Sequence, residues 1–479
     1  MPKEILINIE PQEKRVAVTS DGRMEEFYIE RPQDKTIVGN IYKGKIEAVL
    51  PGIGAAFVDI GLLKKGFLYL SEIEFAFEAA EPAQKVDREI KKGQEVLVQV
   101  VKESFGTKGP RLSTHIGIAG RYLVLMPEDK QVGISRRIED DAERRRLRQI
   151  FQELKLPKDV GFIVRTAASG KSKLELLRDA NFLLKLWRRL EKSILESKSP
   201  SLIYEEYDLT FRAIRDSFTE DVSKLIVDSK EEYYRIIRFM KAFMSYLIRR
   251  VELYRGDDLF GDKDVEKQIN RIFESKVYMK SKAYLVIEPT EGLVVIDVNS
   301  GGFRKRLKQE ETAFKVNCEA AQEAARQLIL RDLGGIIVID FIDMEKEPHR
   351  REVLRILKNA LATDRAKYDI LGISRFGLVE MTRERIHKTV TMLSYQPCPY
   401  CQGKGKVKSP LTMSVYALKE LRKFLKGKTL KTASLYLNPA VADEVLREKG
   451  NLRALEHKFR TQINLIPNPA IHIEDIKIS

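Results

Sequence analysis

The sequence has few cysteines and no long apolar run. Three cysteines in 479 residues cannot form a disulfide framework like that of a small secreted protein. No apolar run approaches the ~18 residues that a helix needs to cross a bilayer, and residues 1–5 contain no apolar core of a secretion signal. Internal repeats and low-complexity segments are also absent. These absences predict a protein of the reducing cytoplasm.

Positive charge is present in excess. Lys and Arg total 85 against 70 Asp and Glu, a formal net charge of +15. This balance favours a polyanionic partner, which is RNA, DNA or an anionic membrane surface. The chain is 43% hydrophobic and 32% charged, which is not the composition of a disordered protein. At roughly 150 residues per domain, the length predicts about three domains.

The apolar pattern changes along the chain. Residues 1–36 alternate weakly and predict strands. Residues 37–118 contain short strands between glycine turns, which is typical of a small β-barrel. Residues 119–207 mix strands and helices, and residues 276–394 predict strand, helix and strand. The helix, at about 310–332, has one face formed by Ala313, Val316, Ala320 and Ala324. Residues 208–275 predict an amphipathic helix from apolar residues at three- and four-residue steps. Those residues are Ile236, Ile237, Met240, Phe243, Met244, Leu247, Ile248 and Val251.

Two aspartates are the candidate catalytic residues. Asp297 lies in the apolar run 293–300 and Asp340 in the run 336–343, and each run predicts a buried strand. Burying a carboxylate is costly unless something pairs it, and a metal ion is an effective partner. Mg²⁺ often takes one or two carboxylates together with water and phosphate. In a basic protein, this pair predicts a Mg²⁺ site that acts on nucleic acid.

Other polar residues accompany the pair. Asn299 faces the same side of its strand as the first aspartate and could bond a phosphate oxygen or orient a metal-bound water. Asp343 is a third candidate ligand, whereas Glu310 and Glu311 open the next helix and are assigned to its N-terminal dipole. The alternative, that both strand aspartates are structural and paired to Arg or Lys, stays open on spacing alone.

The predicted barrel has aromatic residues in adjacent strands. An OB-fold binds single strands through aromatic side chains in a basic groove, and Phe57 and Phe67 are the candidates here. Lysines lie nearby at Lys43, Lys45, Lys64 and Lys65. The alternative is that both phenylalanines belong to the barrel core.

A phosphate-binding segment is predicted at residues 161–172. Its end, Gly170-Lys171-Ser172, resembles a P-loop, but Arg165 stands where the first glycine is required, so a P-loop is excluded. Arg165 and Thr166 at a strand end can still hold a phosphate, because the Arg165 guanidinium can donate two hydrogen bonds to it and the Thr166 hydroxyl a third. A surface ion pair of Arg165 is the open alternative.

A Cys-x-x-Cys pair lies near the C-terminal segment. Cys398 and Cys401 have metal-ligand spacing, with Gly403 and Gly405 after them, and the third cysteine, Cys318, lies in a predicted helix. Zinc requires four ligands. The pair is therefore half of a site that another chain completes, a redox motif, or neither. Because the context is unlike thioredoxin, a Zn²⁺ shared between two protomers is favoured.

Taken together, these segments resemble the ribonuclease E/G family. The chain is shorter than the ribonuclease E branch with its long C-terminal scaffold, and its compact tail resembles the ribonuclease G branch. The matching motifs occur in family order at residues 55–59, 66–68, 122–127, 133–139, 164–167, 296–300, 311–314, 331–335, 339–344, 374–377 and 398–401.

The resemblance implies a multidomain α/β and α+β fold. The implied parts are an RNase H-like subdomain without its catalytic carboxylates (1–36 and 208–275), an inserted S1-type OB-fold barrel for RNA (37–118), a 5′-sensor domain (119–207), a DNase I-like catalytic domain (276–394), a zinc link (395–408) and a small C-terminal α+β domain (409–479).

The resemblance also implies an activity. It is a Mg²⁺-dependent endoribonuclease that cleaves single-stranded RNA, senses a 5′-monophosphate and leaves 5′-phosphate and 3′-hydroxyl ends. The implied substrates are rRNA precursors, including the 16S rRNA 5′ end, together with mRNA and tRNA precursors. The implied assembly is a cytoplasmic homodimer or homotetramer. The competing functions are a non-catalytic RNA-binding assembly factor and a DNA-acting nuclease.

The resemblance assigns roles to individual residues. The implied catalytic residues are Asp297, Asn299 and Asp340, with Mg²⁺ bound by the two aspartates. The implied RNA-binding residues are Phe57, Phe67 and Lys108, and the implied 5′-phosphate sensor consists of Gly120, Val124, Arg165 and Thr166. Cys398 and Cys401 are the implied ligands of the shared Zn²⁺. Asn299 would orient Asp297 or contact the scissile phosphate, and Asp343 would have a supporting role. The loop 300–305 is shorter than in ribonuclease E, so substrate contacts there are not carried over.

Overall fold

The computed structural model of the protein divides into two compact units, Met1–Leu393 and Ser394–Ser479. None of the helices in the described residues is both long and apolar enough to cross a bilayer. At positions 242 and 243 the structure describes the backbone alone. The described residues are 2–72, 91–104, 108–157, 159–290, 292–302, 309–362, 364–374, 376–385, 390, 394–447 and 449–479.

The first unit contains both strands and helices. Its strands are β1 (Lys3–Glu10), β2 (Glu13–Ser20), β3 (Arg23–Glu30), β4 (Ile41–Leu50), β5 (Ala55–Asp59), β6 (Gly66–Tyr69), β7 (Glu95–Lys102), β8 (Arg111–Ser113), β9 (Ile118–Ala119), β10 (Leu123–Met126), β11 (Val132–Ile134), β12 (Gly161–Val164), β13 (Ser201–Tyr204), β14 (Val222–Val227), β15 (Val251–Leu253), β16 (Lys276–Tyr278), β17 (Tyr284–Pro289), β18 (Leu293–Asn299), β19 (Gly335–Asp340), β20 (Tyr368–Ile373) and β21 (Leu378–Arg383). Its helices are α1 (Asp141–Glu153), α2 (Lys173–Glu196), α3 (Leu209–Ser217), α4 (Lys230–Phe243), α5 (Leu259–Asp262), α6 (Val265–Ile272), α7 (Gln309–Leu330) and α8 (Glu347–Leu361).

The N-terminal hairpins join a later part of the chain in one sheet. The strand order is β15-β14-β1-β2-β3, with β1, β2 and β3 antiparallel and β14 parallel to both β1 and β15. Apolar side chains fill both faces: Ile5 and Ile7 pack with α3 and α4, and Leu6 packs with α5 and α6. The segments before and after the barrel therefore share one sheet, with an apolar core on each of its faces.

The long amphipathic helix predicted in this region is wrong in its second half. Helix α4 ends at Phe243, a 3₁₀ turn follows at Ser245–Arg250, and Val251 begins a strand. Met244 and Leu247 are still buried. A 3₁₀ turn places every third residue on one side, so the apolar spacing continued after the α-helix had ended.

The predicted β-barrel is present. Strands β4, β5, β6, β8 and β7 follow one another in the sheet, and β7 pairs back with β4 to close it. The strand β13 adds to β4. Ile46, Val58, Leu68, Val98 and Leu112 fill the interior. A smaller sheet, β11-β12-β10-β9, packs with α1 and α2 next to it in the sequence.

A six-stranded sheet holds the two candidate aspartates. Its order is β16-β17-β18-β19-β21-β20, in which β18 and β19 are parallel. Helices α7 and α8 pack on one face. Helix α7 contributes Ala313, Val316, Ala320 and Ala324, the face that the sequence predicted. The opposite face, here called the open face, exposes residues that include Tyr278, Asp297, Ile336 and Asp340.

The second unit is a small sheet with three helices. Its elements are α9 (Pro410–Leu425), β22 (Thr432–Leu437), α10 (Pro439–Arg447), α11 (Lys449–Phe459), β23 (Gln462–Pro467) and β24 (Lys477–Ile478). The strand order is β23-β22-β24, with β22 and β23 parallel. Leu421, Leu435 and Val441 are among the residues of its core.

Candidate active site

The two aspartates lie side by side on the open face. Asp297 and Asp340 are register partners of β18 and β19, so their backbones are about 4.8 Å apart and their side chains share a face. Ile296, Val298 and Ile339 alternate with them and are buried against the helices. Both aspartates are exposed. The expectation of buried carboxylates is therefore wrong, because strand alternation directs them away from α7 and α8.

The two carboxylates fit a Mg²⁺ ion. Partial burial is the main cause that raises the pKa of Asp340, and the nearby carboxylates of Asp297 and Asp343 raise it further. The charges that act on Asp340 are thus like charges, and no Arg or Lys contributes to its pKa shift, whereas the structural alternative requires such a partner. Nor do they contain a group of three or more His, Cys, Asp or Glu suited to a metal. Mg²⁺ is commonly held by one or two carboxylates, with water and phosphate completing its shell.

Asn299 orients one of the aspartates. Its Nδ2 donates a hydrogen bond to Asp297 Oδ2 at 2.8 Å. Because both residues lie on the same side of β18, this bond fixes the rotation of the carboxylate. The loop that follows is described only as far as residue 302, so 303–305 of the predicted short loop lie outside the described residues, as does residue 375 of the motif 374–377.

Helix α7 anchors the loop that follows β19. Asn317 is fully buried; its Nδ2 donates to Ile342 O at 2.7 Å, and Ile342 N donates to Asn317 Oδ1 at 3.1 Å. Glu310 accepts hydrogen bonds from the backbone N–H groups of Glu345 and Lys346. Glu310 therefore holds this loop and does more than interact with the helix dipole.

These anchors were missed from the sequence. Asp343 lies between the two anchored points of the loop, three residues after Asp340. One signal was available: Asn317 falls on the apolar face of α7, and a buried amide requires hydrogen-bond partners. The sequence could not name those partners, which come from the loop after the next strand.

The barrel presents aromatic side chains on its outer surface. Phe57 and Phe67 are half-buried, and their neighbours Val58 and Leu68 form the core instead. The two rings meet edge to face, with centroids 6.0 Å apart. Both phenylalanines therefore lie outside the barrel core, contrary to the alternative considered for them.

Two further residues extend this surface and were not predicted. Tyr69 lies 5.0 Å from Phe67 between ring centroids, and the Arg111 guanidinium is 4.8 Å from the Tyr69 ring centroid. Lys108 is exposed just before β8. The next residue, Gly109, passes so close to Lys65 that an added Cβ would lie 1.8 Å from its carbonyl oxygen. This close approach places Lys108 beside β6, the strand of Phe67.

The predicted phosphate-binding residues meet around Arg165. Its Nη1 donates to Gly120 O at 2.6 Å, and Thr166 follows in a 3₁₀ turn. Val124 lies one strand away, since β10 pairs with β12. Arg165 Nη2 also donates to Asp216 at 2.7 Å, so the ion pair raised as the alternative is present. Burial would raise the pKa of Asp216, but the adjacent guanidinium groups hold it well below its usual range.

A buried carboxylate shapes the loop that carries Gly120. Asp179 accepts hydrogen bonds from the N–H groups of Arg121, Tyr122 and Leu123, and burial nevertheless raises its pKa. A Cβ on Gly120 would approach an Asp179 oxygen to 2.7 Å, so this position requires glycine. Asp179 was not predicted from the sequence.

The cysteine pair lies in turns before α9. Cys398 is exposed, and the N–H groups of Cys401 and Tyr400 lower the pKa of its thiol. Gly405 N donates to Cys401 Sγ at 3.3 Å, and His472 bonds the Tyr400 carbonyl at 2.7 Å. No third His, Cys, Asp or Glu ligand joins the pair in the part of the chain that the structure describes. The pair supplies half of a zinc site at most.

A cavity of about 1450 Å³ in the first unit reaches the edge of the same sheet at Lys276 and Tyr278. Its lining includes Tyr28, Asp216, Arg365, Lys276 and Tyr278 but neither candidate aspartate. The aspartates lie instead on an exposed sheet surface, which an extended polymer can cross without entering a pocket.

Comparison with known proteins gives matches over most of the chain. Residues 117–386 match a family model described as the ribonuclease E/G family, residues 35–115 match an S1 RNA binding domain, and residues 397–479 match an RNase E/G thioredoxin-like domain. The last match was not predicted. It removes the premise that the cysteine pair has a context unlike thioredoxin.

Full-length relatives are also found. Ribonuclease G of Escherichia coli strain K12 is 40% identical over 459 residues, 94% of each protein. Ribonuclease G of Haemophilus influenzae is 39% identical over 94% of this chain and 93% of its own length. Ribonuclease E of Escherichia coli strain K12 is 39% identical over 93% of this chain but only 43% of its own length.

Proposed function

The chain belongs to the ribonuclease E/G family and is an endoribonuclease with an S1 RNA-binding domain, and we propose that it cleaves single-stranded RNA at Asp297 and Asp340 with Mg²⁺. The observation that carries this proposal is the register pairing of the two exposed aspartates, with Asn299 bonded to one of them. A donor set of two carboxylates leaves room for water and for an RNA phosphate.

The residues have separate roles in this mechanism. When bound, Mg²⁺ supplies Lewis acid chemistry at the scissile phosphate and lowers the pKa of the attacking water. Asp297 and Asp340 would hold the ion, and Asn299 fixes the orientation of Asp297. Attack of water on phosphorus forms the new P–O bond and breaks the bond to the 3′ oxygen, and the proton that the water loses is balanced by the proton that the 3′ oxygen gains. The products carry a 5′-phosphate and a 3′-hydroxyl.

The outer surface of the barrel holds the strand near the aspartates. Phe57 and Phe67 stack on bases, Tyr69 extends their surface, and Lys108 binds a phosphate. Base stacking on aromatic side chains tolerates any sequence, because every base has a π face. This arrangement suits an enzyme that requires single-stranded RNA more than a particular sequence.

The pocket at Arg165 senses the 5′ end. Arg165 and Thr166 bind a 5′-monophosphate, with backbone contacts at Gly120 and Val124. Asp216 presents a carboxylate to the same guanidinium, so the terminal phosphate competes with it for the donors of Arg165. The proposed substrates are rRNA precursors, including the 16S rRNA 5′ end, mRNA and tRNA precursors.

The remaining parts of the chain complete the assembly. The strand order β15-β14-β1-β2-β3 supports an RNase H-like subdomain, and we assign the aspartate-bearing sheet to a DNase I-like catalytic domain. Cys398 and Cys401 share a Zn²⁺ with the same pair of another protomer, which gives a homodimer or homotetramer. The protein acts in the cytoplasm.

A cleavage assay tests the proposal. The wild-type protein is expected to cut single-stranded RNA in the presence of Mg²⁺, and Asp297→Asn or Asp340→Asn should lose this activity. Asp343→Asn is the matched control, because it removes a neighbouring carboxylate that is not assigned to the metal. Undiminished cutting by Asp297→Asn or Asp340→Asn would refute the proposal. RNA binding without any cutting would indicate an assembly factor, and equal cutting of matched DNA would indicate a general nuclease.

A further inference from the structure

The open face beside the aspartates carries two tyrosines and a lysine. Tyr284 of β17 pairs with Asn299 of β18, and Tyr278 of β16 pairs with Tyr284. Lys276 of β16 lies in the next row, which contains Asp297. Directly opposed residues of neighbouring strands share a face of the sheet. The three side chains therefore lie on the same face as Asp297 and Asn299 and continue that face to the edge of the sheet.

Their contacts give the two tyrosines different surroundings. Lys276 Nζ lies 3.7 Å from the ring centroid of Tyr284 and 5.2 Å from that of Tyr278. The backbone at Gly301 also packs on Tyr284, since an added Cβ there would lie 3.0 Å from the ring. Tyr284 is half-buried between these groups, whereas Tyr278 is 67% exposed. Tyr278 is thus the ring that can accept another flat group.

An exposed aromatic ring beside an ammonium group matches one nucleotide of a single strand. The ring stacks on the base, and the cation attracts the phosphate. Tyr278 is two strands from Asn299, about 10 Å across the sheet, so such a nucleotide would lie near the scissile bond.

We propose that Tyr278 stacks on a base of the RNA substrate next to the cleavage site, and that Lys276 contacts the phosphate of that nucleotide. This subsite rests on the proposed nuclease function. Tyr284 is a positioning residue, which holds the lysine between the two rings.

The first test measures kcat/KM for a short RNA with one cleavage site. Tyr278→Ala is expected to lower this value by about 5- to 100-fold, while Tyr278→Phe and Tyr278→Trp should retain it because they keep the ring. Lys276→Gln should lower it as well. Tyr234→Ala is the matched control, since Tyr234 is 56% exposed on α4, away from this sheet. Wild-type efficiency in Tyr278→Ala would overturn the proposal.

The second test assigns the loss to stacking. Abasic nucleotides are placed one at a time on either side of the cleavage site. In the wild type, one position should slow cleavage by the same factor as Tyr278→Ala, and combining that position with Tyr278→Ala should cause no further loss. Such non-additivity marks a direct interaction. Losses that multiply at every position would overturn the proposal.

Other outcomes are distinguishable. If Asp297→Asn abolishes cutting and Tyr278→Ala leaves it unchanged, the subsite is wrong while the nuclease assignment stands. If Asp297→Asn still cuts, the proposed catalytic site at Asp297 and Asp340 fails, and the subsite beside it loses its basis. Tyr278→Ala could instead change the oligomeric state in solution while kcat/KM per protomer stays unchanged. This result would show that a second copy of the chain covers this face, and it would overturn the subsite.

Discussion

The anchoring of the loop after β19 leads to a prediction for Asn317→Ala. This change removes both hydrogen bonds to Ile342 and leaves a backbone donor and acceptor without their partner. Each unsatisfied buried group costs about 1–3 kcal/mol, and Ile342 is half-buried. We therefore expect a loss of about 2–4 kcal/mol in the free energy of unfolding.

The same change should weaken the proposed metal site. The anchored loop begins directly after Asp340, and Ile342 lies only two residues beyond this proposed metal ligand. Residues that orient metal ligands from outside typically change metal affinity or activity by about 10- to 100-fold when removed. The Mg²⁺ concentration for half-maximal RNA cleavage should accordingly rise about tenfold or more, with much of the rate recovered at saturating Mg²⁺.

Gln99→Ala is a matched control for this prediction. Gln99 is also a buried amide that bonds backbone groups, at Gly39 and Gly117, but it lies in the barrel. Urea unfolding should show that both variants are destabilised, whereas a Mg²⁺ titration of cleavage should change only in Asn317→Ala. An unchanged half-maximal Mg²⁺ concentration in Asn317→Ala, with the expected loss of stability, would refute the anchoring argument.

Three further predictions concern the other proposed sites. Wild-type protein should cleave 5′-monophosphorylated RNA faster than 5′-triphosphorylated RNA, and Arg165→Ala should abolish the difference; equal wild-type rates would rule out the sensor. Phe67→Ala should weaken RNA binding by about 1–3 kcal/mol without altering its salt dependence, whereas Lys108→Ala should lower the salt slope by about 1; a titration at several salt concentrations separates the two. Cys398→Ser should lose bound zinc and shift the protein to a smaller oligomer by mass and metal analysis, and a wild-type protein without zinc would contradict the shared site.

Local periodicity in the sequence predicted much of the secondary structure. The apolar runs around Asp297 and Asp340 are strands β18 and β19, and the alanine-rich face of α7 is buried as expected. The barrel was predictable because its strands are short, regular and separated by glycine turns. The family and the endoribonuclease activity were predicted from motifs and are confirmed by the comparisons.

Periodicity could not show which side of a strand faces the core. The runs at 293–300 and 336–343 are apolar on both faces, so the sequence predicted burial for aspartates that are exposed. The same limit applies to the helix predicted through Val251. A 3₁₀ turn continues the apolar spacing of α4, and only the backbone shows where the α-helix ends.

Contacts between segments that are distant along the chain could not be predicted from the sequence. Asn317 bonds a loop 25 residues later, Arg165 pairs with Asp216 51 residues later, and Asp179 shapes a loop that precedes it by more than 50. Each of these residues is a common polar type, and its role follows from the fold. The zinc proposal also relied on a domain context that the thioredoxin-like match has changed.

The central claim is that Asp297 and Asp340 together hold the divalent ion used for cleavage. The most direct measurement is Mn²⁺ binding by electron paramagnetic resonance, with Mn²⁺ standing in for Mg²⁺, on the wild type, Asp297→Asn, Asp340→Asn and Asp343→Asn, alongside cleavage by the same samples. The Mn²⁺ site should be lost together with activity in Asp297→Asn and in Asp340→Asn, and it should be kept in Asp343→Asn. Wild-type Mn²⁺ binding and cleavage in either Asp297→Asn or Asp340→Asn would contradict it.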